Sequence, residues 1–218
     1  MGCLQSHVEL SREDKIIADM ELQLEYAGLN CIKVDYVIRR YSENREINKF
    51  QWDNIVAELG IKSKNYRNCP ELEAFYDTFT NENQCINTKE LLILGILLSL
   101  GQIRTKARLL FEIYDSENLK VIDQSCIEDL FEILKKITIV RLPMLVNNNN
   151  EPPENRRKIE LYARVLNAKS LRAKQQFIKL LSDNKDKIPL EEFKVKFDVF
   201  ENALLLSTFG FRSFLAQF

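Results

Sequence analysis

One spacing recurs four times along the chain and constrains its fold more than any other feature. Tyr36 and Ile47 stand eleven residues apart, as do Phe75 and Ile86, Phe111 and Ile122, and Phe177 and Ile188. Five residues beyond each isoleucine comes a further apolar side chain: Trp52, Leu91, Ile127 and Phe193. Apolar residues at helical period flank the units, as in Leu109-Leu110-Phe111 before Ile122 and Ile127, Leu130, Phe131 and Leu134 after it. A single such pair says nothing, because Phe and Ile are common; four, each with its third member in place, define an internal repeat. Each unit reads as helix, loop, helix. The aromatic packs inward from the last turn of the first helix, the isoleucine lies in a short extended segment, and the third residue opens the second helix. Successive isoleucines are 39, 36 and 66 residues apart, so an insertion precedes the fourth unit.

Composition agrees with helices. The 218 residues contain only 6 Gly and 5 Pro, too few for a many-turned β-fold. A formal net charge of -1 offers no basic field for a nucleic-acid backbone, so that partner is not expected. The five cysteines (Cys3, Cys31, Cys69, Cys85, Cys126) are odd in number and scattered, which predicts free thiols in a reducing compartment. The longest apolar run, Leu91 to Leu100, falls short of the ~20 residues of a spanning helix, so no membrane crossing is expected.

The third unit carries a family likeness. Lys106-Ala107-Arg108-Leu109-Leu110-Phe111-Glu112-Ile113-Tyr114-Asp115, closing in Val121-Ile122-Asp123, resembles the third hand of the calcineurin B and neuronal calcium sensor families of EF-hand proteins. Leu91 to Gly101 is similar to the exiting helix of their second hand, and Glu201 to Gly210 resembles the end of the calaxin-type axonemal proteins. The likeness implies an all-α fold of two paired EF-hand lobes, four degenerate helix–loop–helix hands with short β-bridges between paired loops. Its boundaries would be an acylatable segment over 1–16, a first pair over 17–101, and a second pair over 102–218 with a linker insertion at about 139–158.

A calcium-binding hand supplies oxygens from loop positions 1, 3, 5, 7 and 9, a bidentate Glu at 12, and Gly at 6 for the turn. Aligned on their isoleucines, the loops run 40–51, 79–90, 115–126 and 181–192. The first opens on Arg40, has Arg45 in place of the glycine and ends on Gln51. The second keeps Glu90 but opens on Phe79 and has Gln84 at position 6. The third keeps Asp115, Glu117 and Asp123 but has Leu119 at position 5, Lys120 at position 6 and Cys126 at position 12. The fourth keeps Asp183 and Glu192 but has Leu181, Lys185 and Asp186 at positions 1, 5 and 6. No loop keeps both ends of its cage, so neither calcium nor any other cofactor is expected; Asp115, Glu117 and Asp123 are the residual metal candidates.

The chain begins Met1-Gly2-Cys3-Leu4-Gln5-Ser6, an acceptor pattern for N-myristoylation at Gly2, with Cys3 placed for a second acyl group. Glu9, Glu13 and Asp14 offset Arg12 and Lys15, so the segment itself has no polybasic character. Acylation would bring a membrane surface among the partners. Leu94, Leu97 and Leu98, with Leu205 and Phe209 from the apolar C-terminal stretch, are the candidate lining of a groove for an amphipathic partner helix. Asn147 to Asn150 and Glu151-Pro152-Pro153-Glu154 read as a turn-rich linker, followed by Arg156-Arg157-Lys158, either a solvated face or a contact for an acidic surface. His7 is the only histidine, and Gly60-Ile61-Lys62-Ser63 lacks the upstream glycine of a P-loop, so neither catalysis nor a small-molecule substrate is expected. The resulting expectation is a non-catalytic adaptor or structural subunit clamped on an amphipathic helix of a larger protein, largely calcium-independent. The alternative is a calcium sensor or regulatory subunit of the calcineurin B or calaxin kind, acting on a phosphatase, kinase or axonemal motor complex. Its place would be the cytoplasm, a membrane periphery or a cilium.

Overall fold

The computed structural model describes residues 11–61, 70–148 and 151–218. The lipidation candidates Gly2 and Cys3, together with His7, Cys69 and part of the asparagine-rich stretch, lie outside them. The described chain is all-α apart from two small antiparallel sheets. Helix α1 (Arg12–Leu22) is followed by a 3-10 turn, then α2 (Cys31–Tyr41), β1 (Glu46–Ile47), α3 (Lys49–Leu59), α4 (Pro70–Asp77), β2 (Ile86–Asn87) and α5 (Thr88–Leu98). The second half runs α6 (Ile103–Tyr114), β3 (Val121–Asp123), α7 (Gln124–Lys135), a π-helical stretch (Lys136–Arg141) and α8 (Leu142–Asn148). It ends with α9 (Pro153–Ser182), β4 (Lys187–Pro189), α10 (Leu190–Lys196), α11 (Phe200–Ala203) and α12 (Thr208–Ala216).

Asparagine and serine start several of these helices, because their side chains accept from amides that have no intrahelical partner. Asn48 and Gln51 form a reciprocal capping box on α3, at 2.9 and 2.8 Å. Asn87 accepts from the Glu90 amide at 3.0 Å to start α5, and Ser207 from the Gly210 amide at 3.1 Å to start α12. Helix α3 stops at Gly60, whose φ of 73° is the left-handed conformation that costs glycine little.

Each of the four isoleucines lies in a strand, and they meet in pairs. Ile47 stands opposite Ile86, and Ile122 opposite Ile188. All are buried. The second pair is closed reciprocally, the Leu190 amide donating to the Lys120 carbonyl and the Gln124 amide to that of Asp186, both at 3.0 Å. The residues five beyond the isoleucines (Trp52, Leu91, Ile127, Phe193) are buried in the following helices, and so are the entering aromatics Phe75, Phe111 and Phe177.

Tyr36 breaks the pattern: it is 60% exposed, not packed inward as its spacing predicts. The inward face of α2 runs through Val34, Val37 and Ile38, all buried, and Tyr36 falls on the opposite side of the helix.

Helix α5 is buried on every face from Leu91 to Leu97, and Gly95 lets α2 approach it; a Cβ there would lie 2.6 Å from Val34 Cγ1. The stretch read as a linker insertion from about 139 is instead helical as far as 148, with Ile139, Leu142, Leu145 and Val146 in the core. Their apolar spacing is short and the flanking asparagines are turn-forming, which hides the helix from a composition reading. Helix α1 packs against α8 and α9, so the chain's first helix belongs with its second half. The tail completes the core there: Phe211 is buried with its ring 5.5 Å from Phe131 and 6.0 Å from Phe177.

Candidate functional site

The four loops turn without glycine. Arg45, Gln84 and Lys120, each two residues before its strand isoleucine, have φ of 66°, 58° and 61°. The left-handed conformation costs a residue bearing a Cβ roughly 1–2 kcal/mol, so the turn geometry is retained at some expense. The fourth loop turns elsewhere, at Asp183 and Asn184.

Four of the loop carboxylates, Glu90, Asp115, Asp183 and Glu192, are engaged by the protein itself. Asp115 accepts from the Leu119 and Lys120 amides at 2.7 and 2.9 Å, which folds its half-buried side chain back on the loop. Glu117 and Asp123 are exposed. Among the described residues, no group of three or more His, Cys, Asp or Glu gathers as a metal cluster. In the second loop Asn81 accepts from the Asn83 and Cys85 amides at 2.9 and 3.1 Å and donates to Glu46 across the sheet at 2.6 Å.

Cations of the chain meet both position-12 glutamates. Glu90 lies 2.5 Å from Arg141 and 2.9 Å from Lys136, both on the π-helical stretch. Arg141 is buried to 3% exposure, donates to the Thr78 carbonyl at 2.7 Å and stacks 3.8 Å above the Phe79 ring. Its guanidinium thus joins the end of α4 to the start of α5. Burial lowers its pKa from the ordinary arginine value, with Glu90 opposing that shift. Glu192 is met by Lys185 at 2.5 Å, and Asp183 by Lys196.

The residues expected to line a partner groove are separated by the fold. Leu94, Leu97 and Leu205 are in the core, while Leu98 and Phe209 are half-buried. Leu98 borders a cavity of about 210 Å³ with Ala18, Leu22 and Ala27. A larger cleft of about 790 Å³ lies between α3 and α4. Ile47, Trp52, Tyr76 and Ile86 form its floor, and Asp53, Glu73 and Asp77 stand on its rim with Lys49.

Sequence reasoning missed three buried cations. Arg141 is the first. Arg212 is fully buried, its Nε on Asp14 at 2.7 Å and its Nη1 on Glu21 at 2.8 Å. Tyr162 also donates to Asp14 at 2.9 Å, and Thr208 to Glu21 at 2.7 Å, so one network ties α1 to α9 and α12. Burial and then the Asp14 carboxylate push the Tyr162 phenol above its ordinary value. The third is Lys106, whose ammonium caps the Leu97 carbonyl at 3.0 Å and reaches that of Leu206 at 3.5 Å. Burial pushes it down to about 8. Lys106 and Arg212 are charges at inward positions of the α-helices α6 and α12, which is the one signal that marked them. Arg141 instead closes the π-helical stretch, whose wider turn departs from the α-helical period.

Among the described residues no helix is long and apolar enough to cross a membrane, and Cys31, Cys85 and Cys126 are free thiols. Comparison of the sequence with family models and with curated proteins finds no match.

Proposed function

We propose that the chain is a degenerate EF-hand protein whose paired hands are held by its own cations and which works as a calcium-independent, non-catalytic binding module. The observation that carries this reading is the pairing of Glu90 with Arg141 and of Glu192 with Lys185, where a hand of this kind would place its bidentate ligand. The opposed isoleucines and the left-handed residues at Arg45, Gln84 and Lys120 support the hand assignment. An ammonium or guanidinium already beside the glutamate repels a second cation, so no ion-driven opening is available to the module.

The partner that fits is a basic amphipathic helix of a larger protein, its apolar face in the cleft between α3 and α4 and its cations on Glu73 and Asp77. Trp52 is the chain's single tryptophan and sits on the cleft floor, so its fluorescence reports occupancy directly. Titration with a basic amphipathic model peptide is expected to shift that emission equally with and without calcium. Calorimetry with calcium to about 1 mM, the weak end of hand affinities, is expected to give no saturable heat. A micromolar calcium isotherm overturns the reading. It would favour instead a calcium sensor or regulatory subunit of a phosphatase, kinase or axonemal complex, for which the retained Asp115 is the supporting observation.

A further inference from the structure

Helix α9 is charged differently from the rest of the molecule. Between Pro153 and Ser182 eight Lys and Arg stand against two carboxylates, in a chain of net charge -1. Part of that charge is committed: Lys158 pairs with Glu154, Lys174 with Glu132, and Lys169 caps the Ala216 carbonyl. Arg157, Arg164, Arg172 and Lys179 are exposed and hold no hydrogen bond or ion pair among the described residues. Leu161, Val165 and Leu171, exposed to 63%, 46% and 70%, stand between them. At the helical period these positions fall on one side of α9, opposite the buried Ile159, Leu166, Ala173 and Phe177, and make one outward stripe about 33 Å long. The helix has two exposed carboxylates, Glu160 and Glu154, and the second is paired with Lys158.

We infer that this outer face of α9 docks on an anionic lipid surface. Its shape decides against a partner helix. The stripe is a ridge, and the furrow beside it, between Val140, Met144 and Ala163, has only about 270 Å³, whereas a helix with its side chains is about 10–12 Å across. A convex row of cations with single leucines protruding between them suits a headgroup layer, the guanidinia on phosphates and the leucines beneath. The position of α1 agrees. Tyr162 donates to Asp14 at 2.9 Å and Ser11 donates to the same carboxylate at 3.1 Å, so α1 begins beside this helix. An acyl group at Gly2 would be a second, weaker hold on the same surface, since one chain alone anchors only marginally.

Sedimentation with vesicles tests the face itself, using the full-length unacylated chain. Vesicles of phosphatidylcholine with phosphatidylserine are expected to pellet the protein at low salt, progressively less as salt rises, and vesicles of phosphatidylcholine alone are not. Each surface cation is worth about fivefold in partitioning, so reversing Arg157, Arg164 and Arg172 to Glu is expected to lose at least about 10²-fold, the loss from three cations alone. Reversing Lys33, Arg45 and Lys187, exposed cations outside α9, changes net charge equally and is expected to keep most of the binding. Unchanged melting curves establish that both variants fold. Wild-type protein left in the supernatant at low salt overturns the inference. So does equal binding by the α9 variant, which would leave the stripe to an acidic protein partner.

Discussion

Glu90 and Glu192 hold the same place in their units, four residues beyond a strand isoleucine, yet they are neutralised in opposite ways. Glu90 is 12% exposed against an arginine at 3%, supplied by a segment some fifty residues downstream. Glu192 is 46% exposed against a lysine at 50% within its own loop. An ion pair at the surface gains little over two hydrated charges, whereas a buried pair is costly to break because one charge is left behind. The second unit is therefore locked from outside, and the fourth is only decorated.

The largest test of that contrast is Arg141→Met. It is expected to lower unfolding free energy by about 3 kcal/mol in chemical denaturation, with most of the loss recovered when Glu90→Gln is added. An unchanged midpoint would erase the distinction. Lys106 extends it to a buried cation with no carboxylate. Held at about 8 instead of 10.5, it costs the folded state about 3 kcal/mol at neutral pH. Between those values the unfolded chain binds the proton that the folded chain has released, so stability rises with pH from about 8 toward 10. Above about 10 the trend reverses, because the unfolded chain ionises the phenol that the fold keeps protonated at Tyr162. In Lys106→Met the rise between 8 and 10 should vanish; its persistence would assign it to other groups.

A smaller effect separates the third loop from the fourth. Lys120→Gly relieves a left-handed residue and should gain about 1 kcal/mol, while Asp186→Gly, at the equivalent place without that backbone, should gain nothing. Melting temperatures of the two variants decide this. Smallest of all, Lys185→Ala is expected to leave the denaturation midpoint where it was, and a clear loss would show that the fourth unit depends on its pair as the second does.

The scaffold was legible because it is periodic. Ile47, Ile86, Ile122 and Ile188 each stand two residues before the helix that follows, and local spacing carries that information across the whole chain. Tyr36 misled because the inward face of α2 runs through Val34, Val37 and Ile38, and spacing to the isoleucine does not record which side of the entering helix faces the core. Candidate site residues were less visible for a different reason. Which loop positions carry carboxylates could be read one by one, but what those carboxylates meet could not. Arg141 reaches Glu90, and Arg212 reaches Asp14, by contacts that no sequence period encodes. The groove lining was misjudged in the same way: the Leu91–Leu100 run announces burial without saying which neighbours cover it.

The clasp between Arg212 and Asp14 sets an order of events during synthesis. The two residues are 198 apart, so at ~5–20 residues per second helix α1 is made roughly 10–40 s before the arginine that neutralises it leaves the ribosome. Through that interval Asp14 and Glu21 have no guanidinium, and the first helix cannot take its final seat on the second half. A variant lacking residues 209–218 would keep every isoleucine pair and lose the guanidinium that neutralises Asp14 and Glu21, so the seat of α1 depends on α12 and not on the strands.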